Sequence, residues 1–377
     1  MRSTYARAVG KVLVTVTVAF LTVRTITIHA QPQINRDRVR NHGAPPPGKV
    51  QPAADPLARA AVGDVNVKNK ATGTYHYTFK LHTVDGTPLA ASFYPSKLGT
   101  AAPVVMLVHE VSRSRKDFEE PIAELKGKGL AAHLQDEGYA VFSMDMRGQG
   151  QNARRTLTVA DRALFAEDLQ AAYIFLLDRH NRGDFNIAKL AILGLGEGAN
   201  LAVAWAYQPG AAVSTEGRTS DLSALVLISP IPQGSGYVLG HILPSLAPTV
   251  PVILLAGSKD NASKDAVESV RRMVERARLS KVEFFPTPLH GYKLLRLEPK
   301  VTGTIIRFLE PAVKQRSLEW EPRYNLAPVT VAEIQTVHHA LPTDKTTAPN
   351  AQGKPGQQDD VKPENAKKVQ PMPNKAN

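Results

Sequence analysis

Five short stretches of this sequence carry residue types able to do chemistry. They are His109-Glu110-Val111, Asp145-Met146-Arg147-Gly148-Gln149-Gly150, Gly194-Leu195-Gly196-Glu197-Gly198, Gly257-Ser258-Lys259-Asp260 and Leu289-His290-Gly291-Tyr292. Imidazoles and carboxylates such as His290, Asp260, Glu110 and Glu197 can move protons near neutral pH. A glycine-rich turn that opens a helix can instead bring backbone close to a phosphate, and Gly194, Gly196 and Ala199 have the G-x-G-x-x-A spacing of a dinucleotide turn. That use needs an acid at the end of the next strand, which here ends Ser229-Pro230-Ile231-Pro232. The turn also follows several strands, whereas a dinucleotide turn opens its domain. The 11 histidines are scattered, and the adjacent His338-His339 pair stands in a polar tail. No His-x-x-x-His spacing places two of them on a single helix face. Neither a cofactor nor a metal is expected.

These stretches share one placement. Buried-strand candidates run over Val104–Val108, Ala140–Met144, Leu190–Leu193, Ala224–Ile228, Val252–Leu255 and Val282–Phe285. Each chemical stretch follows one of them directly. Helix-period segments at Gly129–Glu137, Asp161–Arg179, Glu197–Tyr207, Lys264–Arg278 and Leu294–Glu310 alternate with the strands. Before them, Tyr75–Thr83 and Pro88–Tyr94 alternate around Asp85-Gly86, which predicts a hairpin. The pattern predicts an α/β fold: a mostly parallel sheet with an N-terminal hairpin and helices on both faces. Ligands of such sheets sit beyond the carboxyl ends of the strands, where all five stretches fall. The Pro230–Val250 connection is too short for a large lid, and its Gly and Pro residues predict a mobile rim over an open cleft.

Composition bounds the rest. The chain has 377 residues, 43% hydrophobic, with 28 Pro, 26 Gly and no Cys. That excludes a wholly disordered chain, disulfides and thiolate nucleophiles. Arg2, Arg7 and Lys11 precede an apolar run from Val12 to Val23, and a short polar stretch ends at Ala30, so residues 1–30 read as an export signal. Cleavage before Gln31 gives a periplasmic or extracellular protein; an uncleaved signal gives a membrane-anchored one. Residues 31–72 read as a disordered Pro-rich basic linker, 73–314 as the folded domain and 315–377 as a largely disordered polar tail in which Thr330–His338 could form a short helix. Residues 1–72 hold 11 Lys+Arg against 3 acids, so the net charge of +12 belongs largely to an arm. With few aromatics to stack on bases, that arm suits anionic cell envelope better than specific nucleic acid.

The order of these stretches resembles the α/β-hydrolase superfamily over most of residues 75–312. Asp145–Gly150 is similar to the family's D-x-R-G-x-G, and the His109-Glu110 pair resembles the dienelactone-hydrolase-like, esterase-like branch. The resemblance implies a nucleophile elbow at 194–198, a triad acid at Asp260 and a triad base at His290. It also implies an oxyanion hole from the Val111 and Glu197 amides, with His109 and Arg147 tying loops beneath the site. The elbow departs from the family. Its centre is Gly196, where G-x-S-x-G carries a nucleophile. Asp260 and His290 then form a remnant triad with no hydroxyl to activate. Glu197 is expected to point away as a partner of the helix N-terminus, and Ser112, Ser114 and Ser229 are poor substitute nucleophiles. The expectation is an exported protein without serine-hydrolase activity that binds a small molecule or peptide in its cleft. The alternative is an esterase-like hydrolase that uses His290 and Asp260 with activated water or a non-standard nucleophile, Glu110 or Glu197 taking an acid/base part.

Overall fold

The computed structural model describes Leu57 and residues 75–153, 157–208, 221–323 and 329–339. The proposed export signal, nearly all of the proposed linker and residues 340–377 lie outside the described residues. Within the linker span, Leu57 is buried in the core. Among the described residues no helix is long and apolar enough to cross a membrane.

Two antiparallel strands open the domain, β1 (Tyr75–His82) and β2 (Pro88–Tyr94). They are followed by β3 (Val104–Val108), α1 (Leu130–Asp136), β4 (Ala140–Met144), α2 (Val159–Ala163) and α3 (Phe165–Asn181). Next come β5 (Leu190–Leu195), α4 (Glu197–Tyr207), β6 (Leu222–Ile228), a two-residue-strand hairpin β7 (Gln233–Gly234) and β8 (Tyr237–Val238), and α5 (Leu239–Leu246). The domain continues with β9 (Val252–Gly257), α6 (Asn261–Val274), β10 (Lys281–Phe285), α7 (Gly291–Leu297), α8 (Pro299–Leu309) and β11 (Val331–His338). The main sheet has nine strands in the order β10-β9-β6-β5-β3-β4-β2-β1-β11. The six strands from β10 to β4 are parallel, and the remaining three are antiparallel.

The sheet is covered on both sides, and the strand period of two sorts its residues between two cores. Val104, Met106 and Val108 join Phe93, Phe142, Phe175 and Trp205 on one face. Val105 and Leu107 join Tyr94, Leu193, Leu294 and Leu309 on the other. Burying a side chain the size of Phe175 is worth roughly 1.5–3 kcal/mol, so the continuous apolar strands are stable only between helices. α3 and α4 cover the first face; α1 and α8 cover the second.

Three expectations are corrected. The Asp161–Arg179 segment is two helices, because the capping box of Thr158 and Asp161 starts α2 early and the turn closes at Leu164. The Leu294–Glu310 segment is also two helices, divided at Glu298 by the proline that begins α8. Thr330–His338 forms no helix. Residues 331–338 are an edge strand paired antiparallel with β1, turning Ala332, Ile334 and Thr336 towards the protein and Glu333, Gln335 and Val337 outwards. The segment before it also returns to the body, where Trp320 donates to the His180 carbonyl at 3.0 Å and Arg323 pairs with Asp221 at 3.2 Å.

Candidate functional site

The parallel strands deliver the chemical residues to one edge of the sheet, and the sharpest delivery is at the end of β5. Gly196 has φ +53° and ψ −127°, the reversal that lets β5 turn straight into α4. Its N–H is held by the Ile228 carbonyl at 2.8 Å. A side chain at this position would cost of order 1–3 kcal/mol in backbone strain, and an elbow nucleophile sits in just such a turn.

Asp260 and His290 come together in space. Asp260 precedes α6 and His290 caps α7, and His290 Nδ1 donates to Asp260 Oδ2 at 2.6 Å. With Nδ1–H committed to the carboxylate, Nε2 faces the elbow. What it faces is Glu110, whose Oε1 lies 3.8 Å from Nε2, beyond hydrogen-bond reach. The Glu110 carboxylate is wedged between two glycines. A Cβ on Gly196 would lie 2.8 Å from Glu110 Cγ and 3.1 Å from its Oε1, and a Cβ on Gly291 would collide with its Oε2. Side-chain volume over the elbow is therefore supplied by β3's loop instead of by the elbow residue.

His109 serves as a fixture for that loop. It is fully buried, its Nδ1 lies 2.8 Å from the Glu110 carbonyl, and its Nε2 accepts from the Met146 N–H at 3.1 Å. Both ring nitrogens are engaged, and burial pushes its pKa down, so it is a neutral strut. Beneath it Asp145 accepts from Arg115 Nη1 at 2.7 Å, from the Arg115 amide at 2.7 Å and from the Gln151 amide at 2.8 Å. Arg147 likewise ties buried Asp168 to Asp85, at 2.7 and 2.9 Å. Burial raises the Asp168 carboxyl to about 6 against the pull of Arg147.

Of the oxyanion candidates, neither the Val111 nor the Glu197 N–H donates a hydrogen bond among the described residues. The Glu197 carboxylate points away from the elbow into the Pro230–Gly240 rim. Its Oε1 accepts from the Ser235 amide at 2.6 Å, from Ser235 Oγ at 2.9 Å and from Arg162 Nη1 at 3.1 Å. The rim read as mobile is the β7–β8 hairpin, pinned by that carboxylate. Of the substitute serines, Ser112 has φ +72° with its amide on Gln149 at 2.6 Å, and Ser114 lies at the start of a short turn. Ser229 is fully buried with its hydroxyl unpartnered among the described residues. Among the described residues no group of His, Asp and Glu could hold a metal ion.

Sequence reading missed Arg115, Arg162 and Ser235, whose partners lie far off in the chain. A basic residue one helical turn into the segment before α3 was the only signal for Arg162.

The strand order and the strand–turn–helix at Gly196 define the α/β-hydrolase fold. The model of the serine aminopeptidase S33 family matches residues 125–276. Among solved structures the chain is similar to an esterase of Pyrococcus furiosus, at 18% identity over 64% of this chain and 92% of that one, with a TM-score of 0.46. It is also similar to an esterase of Exiguobacterium antarcticum (17% identity, 61% of this chain, 98% of that one, TM-score 0.41). A third is the acylaminoacyl peptidase of Pyrococcus horikoshii (15% identity, 66% of this chain, 44% of that one, TM-score 0.48). No curated protein sequence matches.

Proposed function

We propose that this protein uses an α/β-hydrolase fold to bind a small ligand and has no serine-hydrolase activity. The observation that carries the reading is the Glu110 carboxylate over Gly196, in the space an elbow nucleophile would need. Acyl transfer of the serine type requires a hydroxyl within reach of His290 Nε2, and a carboxylate stands there instead. The Val111 and Glu197 amides, without an acceptor among the described residues, and the part-exposed Glu110 and His290 then act as ligand contacts. The basic arm and the signal-like leader add a companion proposal, that the protein works outside the cytoplasm against an anionic envelope.

The intact Asp260–His290 pair favours one second reading. In it, His290 activates water and Glu110 carries a proton, giving an unorthodox hydrolase. Hydrolysis of short activated esters by the full chain separates the two. The binding reading expects no rate above that of His290→Ala. The second reading expects a rate that His290→Ala and Glu110→Gln both abolish.

A further inference from the structure

We propose that the cavity beside Glu197 is a subsite for an organic anion, a carboxylate on a short apolar body, and that Arg162 grips its charged end. This rests on the binding reading and names the chemistry of the ligand.

The cavity measures about 430 Å³ and lies between α2 and the β7–β8 hairpin. Arg162 stands in its wall, and so do Glu197, Ser235, Val159 and Ile231. α2 is a single turn with no buried residue, so packing does not explain where it stands. Its capping box fixes it nonetheless, with the Asp161 amide donating to Thr158 Oγ1 at 3.2 Å. The turn presents Val159, 86% exposed, to the cavity. One exposed valine needs no explanation. An exposed valine beside a guanidinium at the mouth of a cavity supplies the apolar half of an amphipathic site.

Arg162 is held in a way that leaves donors over. Its Nη1 reaches both Glu197 oxygens, at 3.1 and 3.2 Å. Glu197 is also satisfied by the amide and hydroxyl of Ser235, so three donor groups converge on one carboxylate. Nε and Nη2 of Arg162 have no partner among the described residues, and its side chain is 40% exposed. Those two nitrogens form the edge of the guanidinium that meets a carboxylate in two parallel hydrogen bonds. Glu197 thus positions the guanidinium, and a ligand carboxylate completes its hydrogen bonding.

Calorimetric titration of the full chain with hexanoate, beside hexan-1-ol as a neutral match and acetate as a short one, tests the assignment. Hexanoate should bind at least about tenfold more tightly than hexan-1-ol and than acetate. Arg162→Gln should bring hexanoate to the hexan-1-ol level. Val159→Ser should narrow the gap between hexanoate and acetate while leaving the Arg162 contacts in place. Both positions lie on a turn without buried residues, and melting curves confirm that each variant is folded. Equal binding of hexanoate and hexan-1-ol, no binding of hexanoate, or hexanoate binding indifferent to Arg162→Gln overturns the subsite. Ester turnover with hexanoate still held through Arg162 would retire the binding reading and leave the subsite standing. No turnover with no anion preference would do the reverse.

Discussion

The carboxylate of Glu110 stands where a side chain on Gly196 would have to go: a Cβ there would approach Glu110 Cγ to 2.8 Å, while Glu110 Oε1 faces His290 Nε2 at 3.8 Å. Glycine at position 196 and the Glu110 carboxylate packed over it are thus one arrangement. The Asp260–His290 pair, at 2.6 Å, stands beside that arrangement.

Gly196→Ser alone should therefore not create an esterase. The serine must adopt φ +53° against a neighbouring carboxylate, and the variant should lose about 1–3 kcal/mol of stability. Urea unfolding checks the loss. An unchanged midpoint would mean that Glu110 gives way freely.

Asp145 is a stability residue beneath the site. Asp145→Ala leaves the Arg115 guanidinium buried without its carboxylate, at an expected cost of about 3–5 kcal/mol. Replacing both partners, as Arg115→Met with Asp145→Leu, should recover much of that cost. If the single and double variants unfold at the same urea concentration, the ion pair is not what holds the loop.

Glu197 should control the rim. With Glu197→Ala, the Ser235 amide loses its acceptor at 2.6 Å, and amide exchange across residues 230–240 should quicken by about tenfold or more while α4 stays protected. Hydrogen-exchange mass spectrometry reads both segments at once. Unchanged exchange in the rim would contradict the tether.

The edge of the sheet should weaken in acid. His76 is buried on β1, 3.1 Å from His339 and stacked on Tyr94. Burial chiefly, and repulsion from His339, lower its pKa to about 4. An unfolded histidine titrates near 6.5. A folded-state pKa below that value makes stability highest above pH 6.5 and drains it as pH falls towards 4. Between pH 7 and pH 5 the loss should be about 1–2 kcal/mol. His76→Phe should flatten this dependence in urea melts, and an equally steep dependence in the variant would show that the protons bind elsewhere.

The sheet was legible in the sequence because its strands are unbroken apolar runs bounded by turn residues. α4 begins at Glu197 and ends at Tyr207, where the periodicity places it. β11 was misread because a solitary strand has no local partner to reveal it. The β-branched Val331, Thr336 and Val337 were the signal, and the pairing with β1 that decides the matter spans most of the chain. Gly196, Asp260 and His290 could be placed by their positions after strands. The Glu110 carboxylate over Gly196 could not, since it depends on where two strand ends leave their side chains in space. Arg162 offered only its place in a short helical turn, because its role is defined by Glu197 and not by its own neighbours.

The most direct test of the central claim pairs the two residues that share one space. Fluorophosphonate labelling and activated-ester hydrolysis should be measured for the natural chain, Gly196→Ser, and Gly196→Ser with Glu110→Gly. The account predicts no labelling of the natural chain and little of the single variant. The double variant should be labelled at residue 196, with a rate at least about 100-fold above the single variant that requires His290. Labelling or His290-dependent turnover in the natural chain, or a double variant as inert as the single one, would contradict it.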